Sequence, residues 1–422
     1  MELVLDHLYA SEDMLSLENT ALAHRSLLET SRKHLMHEIQ LSEINTHSVF
    51  SSKRSLVRKL FDLLEEFPRL GDYVRVLHIE EFWDYASSLT WYSWMYEDRA
   101  LPEVLWRLPN LEALYFQPHY VLSYAGMSPE LMAAVEEACA LPTLRTLCVF
   151  NLRGLPLYAV EGVSPALRYL RLSEVSFAHV GAAEAAEEAG APVQLRHLAL
   201  RLSEPDDLSR FADRVLTHTS RIRIDGLRSL TLTARSPSCF ATTMRLLAAC
   251  RATLETLEFQ PTTEHSESAR TRRGIDLGAA PRLRVLALSN VWLEQGHSPF
   301  PWVAHVVASA PRVAHLVLHF VVRIWNLDEC VYWAGGWRAL DELLASEERL
   351  PALESVTIYL DVKGYTRPNS ERQTYVVHDV LMLLPRLRAS GRVLTVATKQ
   401  LHDEDLALCI DPLTRYQGGG RG

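Results

Sequence analysis

Lysine is scarce in this 422-residue sequence, cysteine is thinly spread, and the charge balance has no basic excess. Five lysines stand among 43 basic residues, a bias that we attribute to base composition. The six cysteines include no Cys-x-x-Cys pair, which excludes a zinc-finger or thioredoxin-like signature and favours free, buried thiols in a reducing compartment. The formal net charge of -9 disfavours general nucleic-acid binding, which needs a basic surface.

Long apolar runs and targeting signals are lacking too. The richest apolar stretch, from Val313 to Trp325, is interrupted by His315, His319 and Arg323, whereas a membrane-spanning helix needs about 20 apolar residues. The N-terminus carries acidic residues early and no basic region, unlike a signal peptide. We therefore expect a cytoplasmic or nuclear protein that binds neither membrane nor nucleic acid.

Motifs that bind nucleotides, metals or catalytic groups do not occur. The sequence has no Gly-x-Gly-x-x-Gly, Walker loop, His-Glu-x-x-His or Gly-x-Ser-x-Gly. His315 and His319 share one side of an extended segment, but no third ligand lies nearby in sequence. We interpret the chain as a protein that is not an enzyme and holds no metal or cofactor.

The sequence does have an internal repeat, a phrase of the form Leu-x-x-Leu-x-apolar that usually follows a proline. Intervals between successive copies run from 23 residues (Leu144 to Leu167) to 40 residues (Val313 to Leu353). Chance does not produce so many copies of one pattern. The clear copies begin at Leu111, Leu144, Leu167, Leu195, Leu227, Leu254, Leu283, Val313 and Leu353, with weaker copies expected at Val74 and Val393.

Each phrase predicts a short strand, because its last three positions alternate buried, outward, buried. The proline before it ends a preceding helix. Helical patterns fill the intervals, at 131–140, 205–218, 238–250, 301–310, 337–350 and 375–387. Stacked strand–helix units place a parallel sheet on the concave side and helices on the convex side.

The phrase resembles the leucine-rich-repeat superfamily, although the asparagine usual in that repeat is matched only at Asn151 and Asn290. The resemblance implies an α/β fold. We predict an irregular leucine-rich-repeat-like solenoid over residues 68–412, followed by a flexible tail at 413–422.

Residues 1–67 lack the phrase and have helical patterns, at 2–9, 14–24, 26–38 and 53–67. The runs Glu2 to Leu8, Leu15-Ser-Leu17 and Ala21 to Leu27 resemble an F-box, and the passage from Leu70 to Leu77 resembles the entry into the repeats of fungal F-box proteins. The resemblance implies a short N-terminal α-helical segment that binds a Skp-type adaptor. The residues implied in adaptor binding are Leu3, Leu8, Leu15, Leu22 and Leu27.

This resemblance implies a substrate-recognition subunit of a cullin–RING, SCF-type ubiquitin ligase. In such a subunit the N-terminal helices bind the Skp-type adaptor, and the solenoid holds a protein substrate near the ligase. The alternative is a freestanding protein–protein interaction scaffold with no ligase role, whose N-terminal helices only cap the open end of the solenoid.

The candidate substrate surface is the concave sheet face, together with a column of arginines just before the strands. Arginine suits bidentate binding of carboxylate or phosphate, so we expect an acidic or phosphorylated substrate segment. The alternative is that these arginines are solvated and paired with neighbouring acids such as Glu112, Glu174 and Glu255. The candidate residues are Arg145, Arg168, Tyr169, Arg171, Arg196, His197 and Arg228.

Two intervals between copies are rich in tryptophan and tyrosine. One spans residues 82–106 and the other spans residues 325–337. Such side chains either anchor a protein interface or fill gaps where irregular units pack.

Overall fold

A computed structural model describes residues 9, 15–16, 19–20, 25–44, 55–82, 93–96, 98–178, 191–234, 236, 238–261, 275–293, 298–323, 333–363 and 370–398. The chain divides into two compact units, Met1–Ile224 and Asp225–Gly422. Within the described ranges, no helix is long and apolar enough to cross a membrane.

The first unit is built on a parallel sheet whose strands lie side by side in chain order. These strands are β1 (Glu38–Ile44), β2 (Val76–Phe82), β3 (Ala113–Gln117), β5 (Thr146–Phe150), β7 (Tyr169–Val175) and β9 (His197–Leu202). Two short parallel pairs flank them, β4 (Leu122–Ser123) with β6 (Leu152–Arg153) and β8 (Val193–Gln194) with β10 (Ile222–Arg223). The helices are α1 (Arg25–Leu35), α2 (Leu56–Glu66), α3 (Ala100–Trp106), α4 (Pro129–Ala140), α5 (Leu157–Glu161) and α6 (Pro205–Val215), with 3-10 turns at Pro68–Tyr73, Trp94–Tyr96 and Tyr124–Gly126.

The second unit repeats this arrangement. Its parallel strands are β11 (Ser229–Thr233), β12 (Thr256–Gln260), β13 (Val285–Leu293), β14 (His315–Arg323), β15 (Ser355–Lys363) and β16 (Val393–Thr398). Its helices are α7 (Ser238–Cys250), α8 (Phe300–Ala308), α9 (Ala334–Ala345), α10 (Ser370–Met382) and α11 (Pro385–Ala389). The predicted mixed α/β fold with a parallel sheet is therefore confirmed, while the predicted curvature stays a prediction.

Each clear copy of the phrase, and the weaker copy at Val74, forms a strand that begins at its third position, whereas in the weaker copy at Val393 the strand begins at the first position. The fourth positions of neighbouring copies are direct partners, so that Leu114, Leu147, Leu170 and Leu198 form one buried column across the first unit. The first residue of each clear copy, such as Leu111, is buried before the strand begins. Burial of such apolar surface stabilises the stack by about 25 cal/mol per Å².

Main-chain carbonyls at the second phrase position join each copy to the next. In the first unit the Arg145 carbonyl accepts the N–H groups of Arg168 and Tyr169, at 2.8 and 3.0 Å. In the second unit the Ala314 carbonyl accepts those of Glu354 and Ser355, at the same two distances. Two donors converge on one oxygen in the same way at the start of β2, β3, β5, β9, β12, β13 and β14, whereas β16 begins with the Val393 N–H alone on the Glu354 carbonyl.

The helices α4 and α5 cover the face of the first sheet that carries the leucine column. A small apolar cavity of about 40 Å³ lies between the sheet and these helices, with Leu147 and Leu170 on the strand side and Val135 and Ala159 on the helix side. Ser128 is the N-cap of α4, since its hydroxyl accepts the Leu131 N–H at 3.1 Å and a proline follows the cap.

Strand β1 contradicts the prediction of helical structure throughout residues 1–67. The helix predicted over 26–38 ends at Leu35, and Glu38–Ile44 pairs with β2 along its whole length. The reason is an alternation of polar and apolar residues from Glu38 to Ser42, with Leu41 buried, which suits a half-buried strand. The helix predicted over 53–67 is confirmed as α2, whereas 2–9, 14–24 and the tail at 413–422 lie outside the described residues apart from positions 9, 15–16 and 19–20.

Candidate recognition surface

The side of the first sheet that faces away from α4 and α5 carries polar and aromatic side chains in aligned rows. We name it the recognition face. One row consists of Gln40, His78, Tyr115, Cys148, Arg171 and Ala199, and the row before it consists of Glu38, Val76, Ala113, Thr146, Tyr169 and His197. Tyr169, Arg171 and His197 lie on this side of the sheet, and each of them is half-buried.

Carboxylates dominate the end of the recognition face formed by β1 and β2. The two ring nitrogens of His78 lie 3.1 Å from Glu38 Oε1 and 3.4 Å from Glu80 Oε1. The Gln40 side-chain amide donates to Glu80 Oε2 at 2.6 Å. Because one imidazole serves two carboxylates, this end carries negative charge whether the ring is neutral or protonated.

Aromatic and apolar groups form the middle of the recognition face. The His78 and Tyr115 rings stack, and Tyr115 is half-buried. Cys148, next in the row, is only 2% exposed, and burial raises the pKa of its thiol to about 12 although Arg171 acts in the opposite direction. A buried thiol of this kind packs as an apolar group and is not a nucleophile.

Arginines dominate the end formed by β7 and β9. The Arg171 guanidinium carbon lies 4.7 Å from the centroid of the Phe150 ring, a cation–π contact between neighbouring strands. Arg201 forms an ion pair with Glu174 at 2.7 Å. The Tyr169 and His197 rings lie 5.8 Å apart.

The arginine column before the strands divides into several environments. Arg168 donates to the carbonyls of Pro165, Leu167 and Gln194, so its guanidinium fastens the chain entering the next strand. Arg145 and Arg196 are exposed in the same unit.

Ion pairs account for other members of the column. Arg75 pairs with Glu112 and Arg228 pairs with Glu255, each at 3.9 Å. The Arg201–Glu174 pair is a third contact of this kind. Each of the three acids named in the alternative interpretation, Glu112, Glu174 and Glu255, therefore pairs with an arginine. Arg228 belongs to the second unit.

A left-handed backbone recurs two positions past the phrase. Asn151, Glu174 and Asn290 have φ angles of +48°, +55° and +55°. Asparagine tolerates this conformation, and the Asn151 side-chain amide also donates to the Pro118 carbonyl at 2.7 Å. Glutamate tolerates it less well, so the placement of the Glu174 carboxylate beside Arg201 comes with backbone strain.

The predicted adaptor-binding leucines are described only in part. Leu3, Leu8 and Leu22 lie outside the described residues, Leu15 is 69% exposed, and Leu27 is half-buried in α1. Helix α1 also contacts the body of the first unit, where the Tyr73 hydroxyl donates to Glu29 Oε1 at 3.4 Å.

The second unit buries several polar side chains on its sheet. Glu258, Ser289, His319 and Asp361 are each at most 5% exposed, and the Ser289 hydroxyl donates to Glu258 Oε1 at 2.7 Å. His315 Nδ1 lies 2.9 Å from the Ser355 hydroxyl. Among the residues that the structure places, no group of three or more His, Cys, Asp or Glu side chains is arranged to hold a metal ion.

The described part of the later aromatic cluster, residues 333–337, belongs to the core of the second unit. The centroid of the Trp337 ring lies 4.9 Å from that of Phe300 and 5.0 Å from that of Phe320. Trp333, four residues earlier in the chain, is also buried. These side chains fill space between neighbouring strand–helix repeats of that unit, as the packing alternative predicts. In the earlier cluster, Trp106 is exposed and most other members lie outside the described residues.

Comparisons with known proteins are sparse. No family model matches the chain, and no characterised protein matches its sequence. Among solved structures, the TLR13–ssRNA13 complex contains a chain similar to this one, with a TM-score of 0.36 and 16% identity over 79% of this chain. The matched part is 44% of that chain, so the present chain spans less than half of its length.

Proposed function

We propose that this chain is the substrate-recognition subunit of a cullin–RING, SCF-type ubiquitin ligase. The N-terminal helices bind a Skp-type adaptor, and the recognition face binds a protein substrate. The observation that carries the recognition role is the half-buried row of aromatic, histidine and arginine side chains on that face, with Tyr115, Tyr169 and Arg171 as its anchors. Tyrosine and arginine are enriched at the energetic centres of protein interfaces.

The ligase role draws its support from the F-box-like N-terminal runs. Leu15 belongs to these runs, and its exposed side chain suits insertion into an apolar groove of an adaptor. The chain performs no chemistry in this proposal, because its part is to hold the substrate near the ligase. The adaptor and the cullin are its partners, in the cytoplasm or the nucleus.

Co-purification with a Skp-type adaptor tests the ligase role. The full chain should form a complex at micromolar concentration, and Leu15→Asp should abolish it without changing thermal unfolding. Leu56→Asp is a matched control, since Leu56 is also exposed but lies at the start of α2, where an acid is tolerated. A wild-type chain that forms no complex would refute the ligase role.

A freestanding scaffold is the second candidate, and one observation favours it. Strand β1 covers the edge of β2 over its whole length, and α1 packs against Pro68–Tyr73, which supports a capping role for the N-terminal segment. If this is their whole role, affinity capture of the tagged full chain should yield a protein partner without adaptor or cullin. Recovery of adaptor and cullin would exclude the scaffold.

A further inference from the structure

We infer that the recognition face binds an extended polypeptide segment that carries a basic side chain and, about four residues away, an acidic or phosphorylated one. The segment lies across the strands, with its basic group at the Glu38 and Glu80 carboxylates around His78 and its anionic group at Arg171. This inference deepens the proposed function and rests on it for the identity of the surface as the substrate site.

The separation of charge along the face is the first support. Glu38 and Glu80 lie on β1 and β2 around His78, while Arg171 lies on β7 in the same row as His78. A ligand with only negative charges would meet like charges at the first end, and one with only positive charges would meet them at the second. Charge complementarity therefore selects a ligand with both signs and fixes its direction.

The state of Arg171 is the second support. Its guanidinium stacks on Phe150, and no carboxylate among the described residues pairs with it. Arg201, its neighbour on β9, is held by Glu174. The stack orients the planar group while its N–H donors stay available for the two oxygens of a carboxylate or phosphate.

The spacing of the strands sets the spacing of the ligand charges. From β2 to β7 there are three strand intervals, each about 4.8 Å, which gives roughly 14 Å. An extended peptide advances about 3.3 Å per residue, so the two charges are about four residues apart. Between them, Tyr115 and the buried Cys148 form a floor without charge, which suits small or aromatic side chains.

Binding of labelled peptides to the full chain tests the inference by fluorescence anisotropy. Each peptide carries one arginine and one glutamate, in either order, separated by about one to eight glycine, serine or tyrosine residues. A parallel set replaces glutamate with phosphoserine and so separates carboxylate from phosphate. Affinity should peak at a separation of about four residues in one order, and affinity that is independent of separation would overturn the inference.

Charge reversal gives the sharper arm of the same experiment. Arg171→Glu should weaken the best peptide about tenfold or more, and should bind a peptide with arginine at both positions better than the wild type does. Arg153→Glu is the matched control, because Arg153 is exposed on β6, outside the main sheet, and should bind as the wild type does. Equal losses in both variants, or no recovery with the doubly basic peptide, would overturn the inference.

The inference and the proposed function fail separately. A chain that captures the adaptor but binds none of these peptides refutes the inference and leaves the ligase role intact. A chain that binds the spaced peptides but captures no adaptor refutes the ligase role and leaves the recognition face as described.

Discussion

The imidazole ring of His78 lies flat against the phenol ring of Tyr115, with centroids 4.2 Å apart and 2° between the ring planes. The two residues are direct partners on the parallel strands β2 and β3. His78 also faces two carboxylates, so the stack joins the acidic end of the recognition face to its aromatic middle. A ring held on both sides in this way has little rotational freedom left to lose when a ligand binds.

This stack should appear as a coupling energy between its two residues. In a double-mutant cycle of His78→Ala and Tyr115→Ala, we expect the two losses of stability to be non-additive by about 0.5–1.5 kcal/mol. Urea unfolding measures each step. His78→Ala combined with Arg201→Ala, at the opposite end of the face, should be additive within about 0.5 kcal/mol.

Asp207 holds a buried main-chain donor and should be needed for stability. The side chain is 1% exposed, and its Oδ1 accepts the Phe177 N–H at 3.1 Å. Asp207→Ala leaves that N–H without its acceptor, so we expect a loss of about 1–3 kcal/mol in the free energy of unfolding. The exposed Asp206 in the same helical turn is the control, and Asp206→Ala should cost no more than about 1 kcal/mol. Equal losses would mean that the helix terminus, not the buried bond, is responsible.

The pH dependence of stability should carry the signature of the same carboxyl. Burial raises the pKa of Asp207 above its ordinary value of 3.8, against the opposing effects of the Phe177 N–H and Arg210. The stability gained from the protonated form is full below the unfolded pKa and is lost as the pH rises through the folded pKa. The stability of the wild type relative to Asp207→Asn should therefore fall as the pH rises from about 3 to about 7, measured by urea unfolding at each pH. A difference that is constant or rises with pH would contradict the raised pKa.

Two adjacent glycines in α9 should respond oppositely to the same substitution. A Cβ at Gly336 would lie 2.2 Å from Phe300 Cδ2, whereas one at Gly335 would meet nothing within 4 Å. Phe300 is fixed between Phe320 and Trp337, so Gly336→Ala should destabilise the protein by about 1–3 kcal/mol. Gly335→Ala should be neutral or stabilise by up to about 1 kcal/mol, because the unfolded chain loses freedom. Thermal unfolding of the two variants measures whether the Phe300 ring can move aside for the added methyl group.

The strands were within reach of sequence reasoning because their signal is local. Leucine or valine stands at the positions of Leu111 and Leu114 in each clear copy, and the last three positions of the phrase alternate buried and outward as in a strand. Strand β1 escapes this reasoning, since its residues 38–42 have the alternation but neither the leading leucine nor the proline. Edge position relaxes the pattern, because a terminal strand needs one neighbour only.

The candidate site could be predicted only in its outward positions. Tyr169 and Arg171 follow from strand parity, but the partner of each side chain depends on register between segments far apart in sequence. The contact of Arg171 with Phe150, and that of His78 with Glu38, cross strands in this way. The left-handed conformation of Glu174 has no sequence signal either, because glutamate is an uncommon residue there.

The paired N–H groups that converge on one carbonyl make the joint between copies indifferent to side-chain identity. The carbonyls of Arg145 and Ala314 accept the same two hydrogen bonds. The interval to the next copy is nevertheless 23 residues for the copy that contains Arg145 and 40 residues for the copy that contains Ala314. Whole copies can consequently be duplicated, deleted or lengthened in their connecting segments during evolution without loss of alignment at the seam. Diversification of the outward side chains is thereby uncoupled from the inheritance of the scaffold that displays them.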